Sequence, residues 1–296
     1  MGGPKRMKTI AITLGDVAGI GPEVVRKALG SGKLDSRFRY HVLIPNEAPV
    51  LKPGKLSRLA AQFALRSLEA GVVGCLSGDF MALVTAPVSK AGLKLAGFPF
   101  PGQTEFLAHR TRTRRFAMML MGGGLRVTLV TIHIPIRKIS RLLTRRLISE
   151  KIELTHMMLK RLGMRQPRIA VAGLNPHGGV PGEQDEEERR MIVPAVRASV
   201  KRFGSNVTGP HSPDHVFWLA KQGKVDAVVC MYHDQGLIPL KMLAFDSGVN
   251  VTLGLPIVRT SPDHGTAYDI AGKNRANPKS MIEAINLAAR LVLSRA

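Results

Sequence analysis

Short runs of apolar, often β-branched residues alternate with segments of helical periodicity along the chain of 296 residues. The runs that predict strands lie at residues 9–14, 40–44, 82–85, 117–121, 125–131, 168–172, 227–231 and 249–253. Apolar residues spaced three and four apart predict helices over residues 56–70, 149–162, 186–202 and 280–294. Strands that alternate with helices indicate an α/β fold with a largely parallel sheet.

The chain is unusually basic, because its 43 Lys and Arg residues outnumber its 21 Asp and Glu residues. The net charge is +22, the isoelectric point is near 10.8, and much of the excess lies between residues 110 and 168. A basic surface attracts small anions or nucleic acid. An aromatic content of 5% and the lack of a recognised nucleic-acid module argue against nucleic acid as a partner. The charge therefore indicates a solvated face that steers anions.

Membrane and secreted proteins are disfavoured by the same sequence. No apolar run approaches the roughly 18 residues that cross a bilayer, and the basic N-terminal tail carries no signal-peptide cleavage site. Cys75 and Cys230 are too few for a disulfide framework. We therefore expect a cytoplasmic protein that does not associate with membranes.

Three histidines share a position just after a predicted strand: His133, His177 and His233. Open α/β sheets build their sites at the carboxyl ends of strands. Neutral imidazoles bind zinc and similar divalent metals, and three protein ligands with an open position define a catalytic metal site. The three residues form no local motif, so two interpretations remain: a metal site, or three unrelated polar loop residues.

Two loops have compositions that suit ligand binding. Residues 261–279, SPDHGTAYDIAGKNRANPK, combine glycines and prolines with hydrogen-bonding and charged side chains, as a loop that wraps a polar ligand does. Residues 15–23, GDVAGIGPE, join the first strand to a helix. Their glycines and proline suit a turn whose amides face a ligand, or an ordinary turn between a strand and a helix.

Isolated charges offer weaker signals. Lys241 and Arg259 lie near predicted strand ends and are cations of the kind that binds phosphate, although taken singly each is explained as a surface charge. Five acids at residues 183–188 look like a metal-binding cluster, but the N-terminus of a helix explains them more simply.

The motifs GDVAGIGPE, TAPVSK, GQTEF, GLNPHGG, MYHDQGL, GVNVTLGLP and DIAGK occur in an order that resembles the 4-hydroxythreonine-4-phosphate dehydrogenases of pyridoxal phosphate (vitamin B6) biosynthesis. Residues 261–279 are similar to the adenosine-binding loop of the isocitrate/isopropylmalate dehydrogenase fold. The resemblance implies a two-domain α/β/α sandwich of that type, with an active-site cleft between the domains. Since no Pro/Gly/Ser-rich linker divides the chain, we expect one catalytic unit over residues 1–296. It would contain two interleaved α/β subdomains, roughly 1–100 plus 235–296, and 101–234.

The activity that this resemblance implies is NAD-dependent oxidation of the secondary alcohol of 4-phosphohydroxy-L-threonine. The product then loses carbon dioxide and gives 3-amino-2-oxopropyl phosphate. The implied cofactors are NAD, with NADP as an alternative, and a divalent metal, with zinc ahead of magnesium or cobalt. The resemblance also implies a homodimer whose active site lies at the subunit interface, with metal histidines from both subunits.

Matching the motifs residue by residue assigns candidate roles. The divalent metal would bind His133, His177 and His233. The substrate-binding residues would be Gln103, Thr104, Lys241, Asn250 and Arg259. The cofactor-binding residues would be His264, Asp269, Gly272, Lys273 and Asn277. No motif identifies the group that removes the hydroxyl proton, for which the two candidates are Lys90 and Asp234.

Departures from the family pattern leave the exact substrate open. Gln103 stands where the family usually has histidine, so it can donate a hydrogen bond but carries no charge. Residues 178–182 lack an acid that usually follows His177, and Val17 replaces a usual proline. The alternative within the same class is a dehydrogenase of D-threonate or D-erythronate 4-phosphate. From other classes, the alternatives are a metal-dependent hydrolase and a non-catalytic basic protein that binds phospholigands or nucleic acid.

Overall fold

The structure is a computed structural model that describes residues 7–45, 51–179, 186–204 and 206–294. Its strands are β1 (Thr9–Thr13), β2 (Arg39–Leu43), β3 (Ala82–Thr85), β4 (Ala117–Gly122), β5 (Leu125–Leu129), β6 (Ile169–Ala172), β7 (Val207–His211), β8 (Ala227–Cys230), β9 (Val249–Leu253) and β10 (Val258–Pro262). All eight strands predicted from the sequence are confirmed, each within two residues at either end. The pattern did not predict β7 and β10.

The α-helices are α1 (Gly21–Leu29), α2 (Arg58–Ser77), α3 (Lys90–Leu95), α4 (Gln103–Arg110), α5 (Ile139–Leu142), α6 (Arg145–Arg161), α7 (Val193–Phe203), α8 (Pro213–Lys221), α9 (His233–Ala244) and α10 (Lys279–Leu293). Two 3₁₀ turns cover Ile136–Lys138 and Pro176–Gly178, and a π-helical turn covers Glu188–Ile192. The four predicted helices correspond to α2, α6, α7 with the preceding π turn, and α10. Helix α1 is the helix expected to follow the loop of residues 15–23. Helices α3, α4, α5, α8 and α9 are further elements that the periodicity did not reveal.

The chain divides into two compact units. The first comprises residues 1–114, 246–250 and 255–296, and the second comprises residues 115–245 and 251–254. Strand β9 belongs to both, because its residues 249–250 fall in the first unit and the rest in the second. The unit boundaries at 114/115 and 245/246 differ from those expected from the sequence, at 100/101 and 234/235.

The first unit contains a parallel sheet in the order β2-β1-β3-β10. Helix α2 contacts β1 and β3, and α10 contacts β3 and β10. The core consists of side chains such as Ile10, Ile12 and Leu83, which are fully buried. Strand β10 is buried at all five positions although it contains Arg259 and two hydroxyl residues. The parallel register brings the carboxyl ends of β1, β3 and β10 to one edge of this sheet.

The second unit has strands in the order β9-β4-β5-β8-β6-β7, with an antiparallel β4-β5 hairpin and parallel β5, β8, β6 and β7. Ile169 and Val171 face a core cluster that includes α6 and α7, whereas Ala170 and Ala172 face a second cluster that includes α8 and α9. Since alternate residues of a strand point to opposite faces, this sheet is covered by helices on both sides. The α/β fold predicted from the sequence is therefore confirmed.

Helix α2 is long and rich in apolar residues. Its 20 residues have a mean hydropathy of 1.3 over the relevant 18-residue window, so by length and composition alone the helix meets the criterion for a membrane span. The helix is not an unbroken apolar run, however, because Arg66 and Glu69 interrupt it. Half of the window is buried inside the structure, and the helix packs on β1, β3 and α3, as the core helix of a globular unit does. Neither Cys75 nor Cys230 forms a disulfide, and burial raises the pKa of the Cys230 thiol.

Candidate functional site

Two of the three predicted metal ligands come together in the second unit. His133 follows β5 and His233 opens α9 directly after β8, and these two strands are parallel neighbours. Their ring centroids lie 5.5 Å apart. The Nδ1 atom of His233 lies 2.6 Å from Oδ1 of Asp234. A carboxylate in this position fixes the orientation and tautomer of an imidazole and leaves the other ring nitrogen available for a metal.

The spacing of this pair suits a shared metal ion. Two imidazoles on one tetrahedral zinc, each with a Zn–N bond of about 2.1 Å, would have ring centroids roughly 5 Å apart. Across the part of the chain that the structure describes, however, no group of three or more His, Cys, Asp or Glu side chains forms a metal-binding cluster. A single chain therefore brings together a pair of the predicted ligands, and His177 is not grouped with them.

His177 lies in the 3₁₀ turn after β6 with a left-handed backbone (φ 60°). The loop before it is anchored by Glu188, which is 2% exposed. Glu188 Oε1 accepts hydrogen bonds from the backbone N–H groups of Leu174 and Asn175 at 2.7 and 2.8 Å, and its Oε2 accepts one from Nδ2 of Asn175 at 2.8 Å. Glu188 of the acid cluster therefore has a specific structural task. Glu183 and Asp185 of that cluster lie outside the described residues.

Gln235 connects the loops that carry His177 and His233. Its Oε1 accepts from the backbone N–H of Met231 at 2.7 Å, and its Nε2 donates to the carbonyl oxygen of Gly173 at 2.7 Å. The side chain is 7% exposed, so these bonds are protected from competition with water. Gln235 thus ties the carboxyl end of β8 to the residue that follows β6.

In the first unit, Arg259 is a buried cation held at the sheet edge. It is 3% exposed and donates to the hydroxyl of Thr85 from Nε at 3.1 Å and from Nη2 at 2.7 Å. Burial lowers the pKa of Arg259 to about 10, while the charge of Glu105 acts in the opposite direction. The guanidinium is therefore still charged at neutral pH. A buried cation of this kind favours an anionic ligand.

Gln103 and Thr104 begin α4, next to Arg259. Oε1 of Gln103 accepts a long hydrogen bond of 3.4 Å from Nη2 of Arg259, and Thr104 is 5% exposed. The uncharged amide at position 103 therefore contacts the guanidinium without the repulsion that a protonated imidazole would introduce. The structure brings Thr85, Gln103 and Arg259 together, of which Thr85 was not predicted from the sequence.

The other predicted substrate residues have distinct surroundings. Asn250 lies on β9, and its Oδ1 is buried without a hydrogen-bond partner among the described residues. Such an oxygen would accept a hydrogen bond from an N–H or O–H group of a ligand. Nζ of Lys241 lies 5.6 Å from the ring centroid of Phe245. Lys90 is exposed at the start of α3, and Ser89 caps that helix by accepting from the N–H of Gly92.

Four of the five predicted cofactor residues are exposed on the loop of residues 263–278, namely Asp269, Gly272, Lys273 and Asn277. His264 is partly buried, and its Nδ1 lies 3.1 Å from the carbonyl oxygen of Gly265. The loop lacks regular helix and strand but contains several turns. Ala271 and Ala276 are its buried anchors, at 7% and 2% exposure. The candidate cofactor residues are therefore presented on the outer side of an anchored loop.

Left-handed backbone is concentrated at these sites. Five non-glycine residues among those described have positive φ: Arg112, His133, His177, Ala267 and Asn274. Two are predicted metal ligands and two lie in the loop of residues 263–278. Because non-glycine residues seldom adopt this conformation, and strained backbone clusters at functional sites, the distribution independently marks the same segments.

Comparison with known proteins decides the family. The family model described as "Pyridoxal phosphate biosynthetic protein PdxA" matches residues 11–288. The chain belongs to this family. It is 44% identical over 319 residues to a 4-hydroxythreonine-4-phosphate dehydrogenase of Desulfosudis oleivorans, covering 94% of each chain. It is 40% identical to a D-threonate 4-phosphate dehydrogenase of Pectobacterium atrosepticum, covering 96% of this chain and 99% of that protein. This PdxA-family chain is a dehydrogenase, which confirms the expectation of an oxidoreductase.

Solved structures agree with this assignment. A 4-hydroxythreonine-4-phosphate dehydrogenase from Klebsiella pneumoniae matches with a TM-score of 0.82 and 38% identity, covering 98% of this chain and 99% of that one. An isocitrate dehydrogenase from Methylococcus capsulatus matches with a TM-score of 0.55 and 14% identity, covering 98% of this chain and 86% of that one. The second likeness concerns the fold alone. It confirms for this PdxA-family chain the predicted isocitrate/isopropylmalate dehydrogenase type of α/β fold.

Proposed function

We propose that this chain catalyses the NAD- and divalent-metal-dependent oxidation of 4-phosphohydroxy-L-threonine, with decarboxylation to 3-amino-2-oxopropyl phosphate, in pyridoxal phosphate biosynthesis. The observation that carries the proposal is the buried cation Arg259, held by Thr85 beside the start of α4, in a chain of this family. Such a group suits a phosphorylated substrate. The relatives with 44% identity bear the name of this activity.

Arg259, Gln103 and Thr104 would bind the substrate phosphate or the groups next to it. Arg259 supplies the positive charge and two or more N–H donors, and its bonds to Thr85 restrict its rotamers before the substrate arrives. Asn250 would accept a hydrogen bond from the substrate through its buried Oδ1. Lys241 would add a second positive charge. Binding energy from these groups, which do not react, orients the carbon that is oxidised.

His133, His177 and His233 would hold the divalent metal, with zinc preferred because imidazole suits it well. When bound, such a metal acts as a Lewis acid that lowers the pKa of a coordinated hydroxyl and polarises a carbonyl oxygen. Asp234 would keep the ring of His233 in the ligating orientation through the 2.6 Å contact with Nδ1. This contact favours an orienting role for Asp234 over that of proton acceptor, and leaves Lys90 as the candidate for the latter.

NAD would bind to the loop of residues 263–278 through His264, Asp269, Gly272, Lys273 and Asn277, and NADP is the alternative cofactor. When bound, the nicotinamide accepts the hydride from the substrate carbon. Gly272 has a positive φ of 75°, a backbone conformation that residues with a side chain seldom adopt. A Cβ at this position would also lie 2.9 Å from Cβ of Pro53. The glycine is therefore required for the loop to follow its path.

A homodimer would complete the metal site, because a single chain groups only two of the three histidines among its described residues. Helix α9, which begins at His233, leaves large apolar side chains exposed along one side and just past its end. Ile238, Met242 and Phe245 are 61%, 82% and 74% exposed. Contiguous exposed apolar side chains mark association surfaces. A second copy covering this face would lie beside His233, which begins the same helix.

The alternative substrate is D-threonate or D-erythronate 4-phosphate. Relatives named for D-threonate 4-phosphate are 40% identical to this chain, and Gln103 is the residue that motivates the alternative. The two substrates share the phosphate and differ in the group on the second carbon, an amine in one and a hydroxyl in the other. Proposals of nucleic-acid binding and of metal-dependent hydrolysis have no comparable support from the relatives.

The test is the rate of NADH formation on 4-phosphohydroxy-L-threonine and on D-threonate 4-phosphate, measured side by side with the same metal-loaded enzyme. We expect a kcat/KM at least tenfold higher on the first substrate. A reversed preference would assign the chain to the alternative. NAD-independent turnover, or no turnover of either compound by a folded, metal-loaded protein, would refute both assignments.

A further inference from the structure

Several backbone amides of the loop of residues 15–23 donate hydrogen bonds within the chain. The N–H of Asp16 donates to the carbonyl of Pro87 at 2.9 Å, and the N–H of Ala18 donates to Oδ1 of Asp16 at 3.0 Å. The N–H of Gly19 donates to the carbonyl of Asp16 at 3.0 Å. These amides of the loop therefore support the chain internally.

What the loop supports is the segment that carries the candidate cofactor residues. The N–H of Ile20 donates to the carbonyl of Thr266 at 2.9 Å. A Cβ on Gly19 would lie 2.8 Å from the same carbonyl oxygen, so only glycine allows this approach. Tyr268 is the second link, because its hydroxyl donates to Oδ2 of the fully buried Asp16 at 2.6 Å. Burial, and then this bond, raise the pKa of Tyr268 to about 12, so the hydroxyl remains a donor at physiological pH.

Helix α1 contacts the later part of the loop through Glu23 and Lys27. Oε1 of Glu23 accepts from the backbone N–H of Ala276 at 2.7 Å and from Nζ of Lys27 at 2.8 Å. Nζ of Lys27 also donates to the carbonyl oxygens of Asn274 and Ala276, both at 2.9 Å. The side chains of Glu23 and Lys27 are 9% and 24% exposed. Glu23 and Lys27 therefore satisfy backbone hydrogen-bonding groups in residues 274–276. This segment begins with Asn274, whose backbone is left-handed.

We propose that Glu23 and Lys27 are positioning residues for the dinucleotide, which hold residues 274–276 so that the flanking Lys273 and Asn277 are presented to it. The inference rests on the proposed function, since it requires that this loop binds NAD. Neither residue would touch the cofactor. Their effect is on the order of the loop before binding, because a loop that must be ordered on binding weakens the affinity.

The sharpest variant is Lys27→Met, which retains the aliphatic stem but removes the bonds to two carbonyl oxygens and to Glu23. Lys160→Met is the matched control, because Nζ of Lys160 likewise donates to a backbone carbonyl, that of Arg165, at 2.9 Å in the second unit. We expect Lys27→Met to raise both the Kd of free enzyme for NAD and the KM for NAD about tenfold. We expect kcat at saturating NAD and KM for the phosphorylated substrate to change less than twofold, and Lys160→Met to behave as wild type.

Three results would overturn the inference. The first is an unchanged NAD affinity in Lys27→Met, and the second is an equal loss in Lys160→Met. The third is a fall in kcat at unchanged KM for NAD. If the wild-type enzyme itself binds no NAD, the proposed function is refuted together with this inference. If the wild type binds NAD and Lys27→Met binds it equally well, only this inference is refuted. Should Lys27→Met fold poorly, Glu23→Gln tests the same contacts with residues 274–276. Glu69→Gln is the control for this variant, because Glu69 pairs with Arg110 on another helix.

Discussion

The two regions that carry candidate chemistry are built in opposite ways. In the loop of residues 263–278, four of the five candidate residues are exposed. The backbone between them is held by side chains from α1 and from the loop before it. At the strand ends of the second unit, the candidate ligands themselves are close, with the rings of His133 and His233 5.5 Å apart. The supporting residues there, Glu188 and Gln235, hold the neighbouring backbone.

This difference shows that the two regions differ in how much of the candidate site a single chain provides. The loop receives its support from within its own unit, because Glu23, Lys27 and Asp16 all lie in that unit. The histidine region contains a pair and a separate third residue, so its completion is expected to depend on a second copy. Substitutions that affect the loop of residues 263–278 should therefore alter the affinity for NAD. Substitutions in the histidine region should alter both the metal content and the association of two chains.

The largest effect is expected from His233→Ala, which removes one member of the histidine pair. Turnover should fall at least about 1,000-fold, because the loss of a Lewis acid removes several kcal/mol of transition-state stabilisation. Metal content per chain, measured by atomic emission, should fall with it. His156→Ala is the control, since His156 stacks on Phe203 away from these strand ends. Retained turnover with normal metal content would remove His233 from the ligand set.

A second prediction concerns Arg259→Met. Loss of the charge and its donors should lower kcat/KM for the phosphorylated substrate about 100-fold. Burial lowers the pKa of Arg259, so its charge is less favourable in the folded chain than in water. Removal of this charge should therefore leave the Tm unchanged or raise it. Steady-state kinetics and thermal unfolding check the two parts. A large fall in Tm at unchanged KM would show that Arg259 has a structural task.

Glu188→Gln should have an intermediate effect, confined to the histidine region. An amide has a single acceptor oxygen, so it cannot replace a carboxylate that accepts three hydrogen bonds from residues 174 and 175. We expect metal affinity to fall about tenfold, in the range for groups that orient metal ligands, while the Kd for NAD is unchanged. Competition with a chromophoric chelator measures the first quantity. Glu153→Gln, which breaks the ion pairs of Glu153 with Arg115 and Arg202, should leave both unchanged.

The smallest effect is expected at Asp226, which lies outside both regions. It accepts hydrogen bonds from the N–H and the guanidinium of Arg168. Burial raises the pKa of Asp226, but the bonds to Arg168 outweigh it, so the pKa lies below its usual value. The stability from this contact is therefore full above the unfolded-state pKa of about 4 and is lost as the pH falls through the lower folded-state value. Asp226→Asn should cost about 1 kcal/mol at pH 7 and almost nothing near pH 2, as urea unfolding can measure.

The sequence predicted the strands with clear apolar runs, but not those that break the pattern. Strand β10 contains Arg259, Thr260 and Ser261, and its burial follows from neighbours that are distant in sequence. Helix α9 contains Gly236 and Pro239, residues that usually interrupt helices. In each case tertiary packing overrides local preference. A hydrophobic period of two or 3.6 residues cannot reveal such packing, because the packing depends on residues that are distant in sequence.

The candidate site was predictable where a motif names the residue. Residues that hold a distant part of the chain in place could not be predicted. Lys27 contacts residues 274 and 276, and Thr85 contacts Arg259, yet nothing in either local sequence indicates the partner. The acids at residues 183–188 were interpreted as a helix N-terminus, and only the folded chain singles out Glu188. The metal and cofactor assignments themselves stay predictions.

The most direct test of the account is NADH formation from 4-phosphohydroxy-L-threonine by enzyme treated with a strong chelator, then reloaded with zinc. The account predicts that turnover is lost with the metal and returns with it, while the chelated enzyme still binds NAD with unchanged affinity. Full NADH formation by the metal-free enzyme would contradict the role assigned to the three histidines. Loss of NAD affinity together with the metal would contradict the separate support proposed for the cofactor loop.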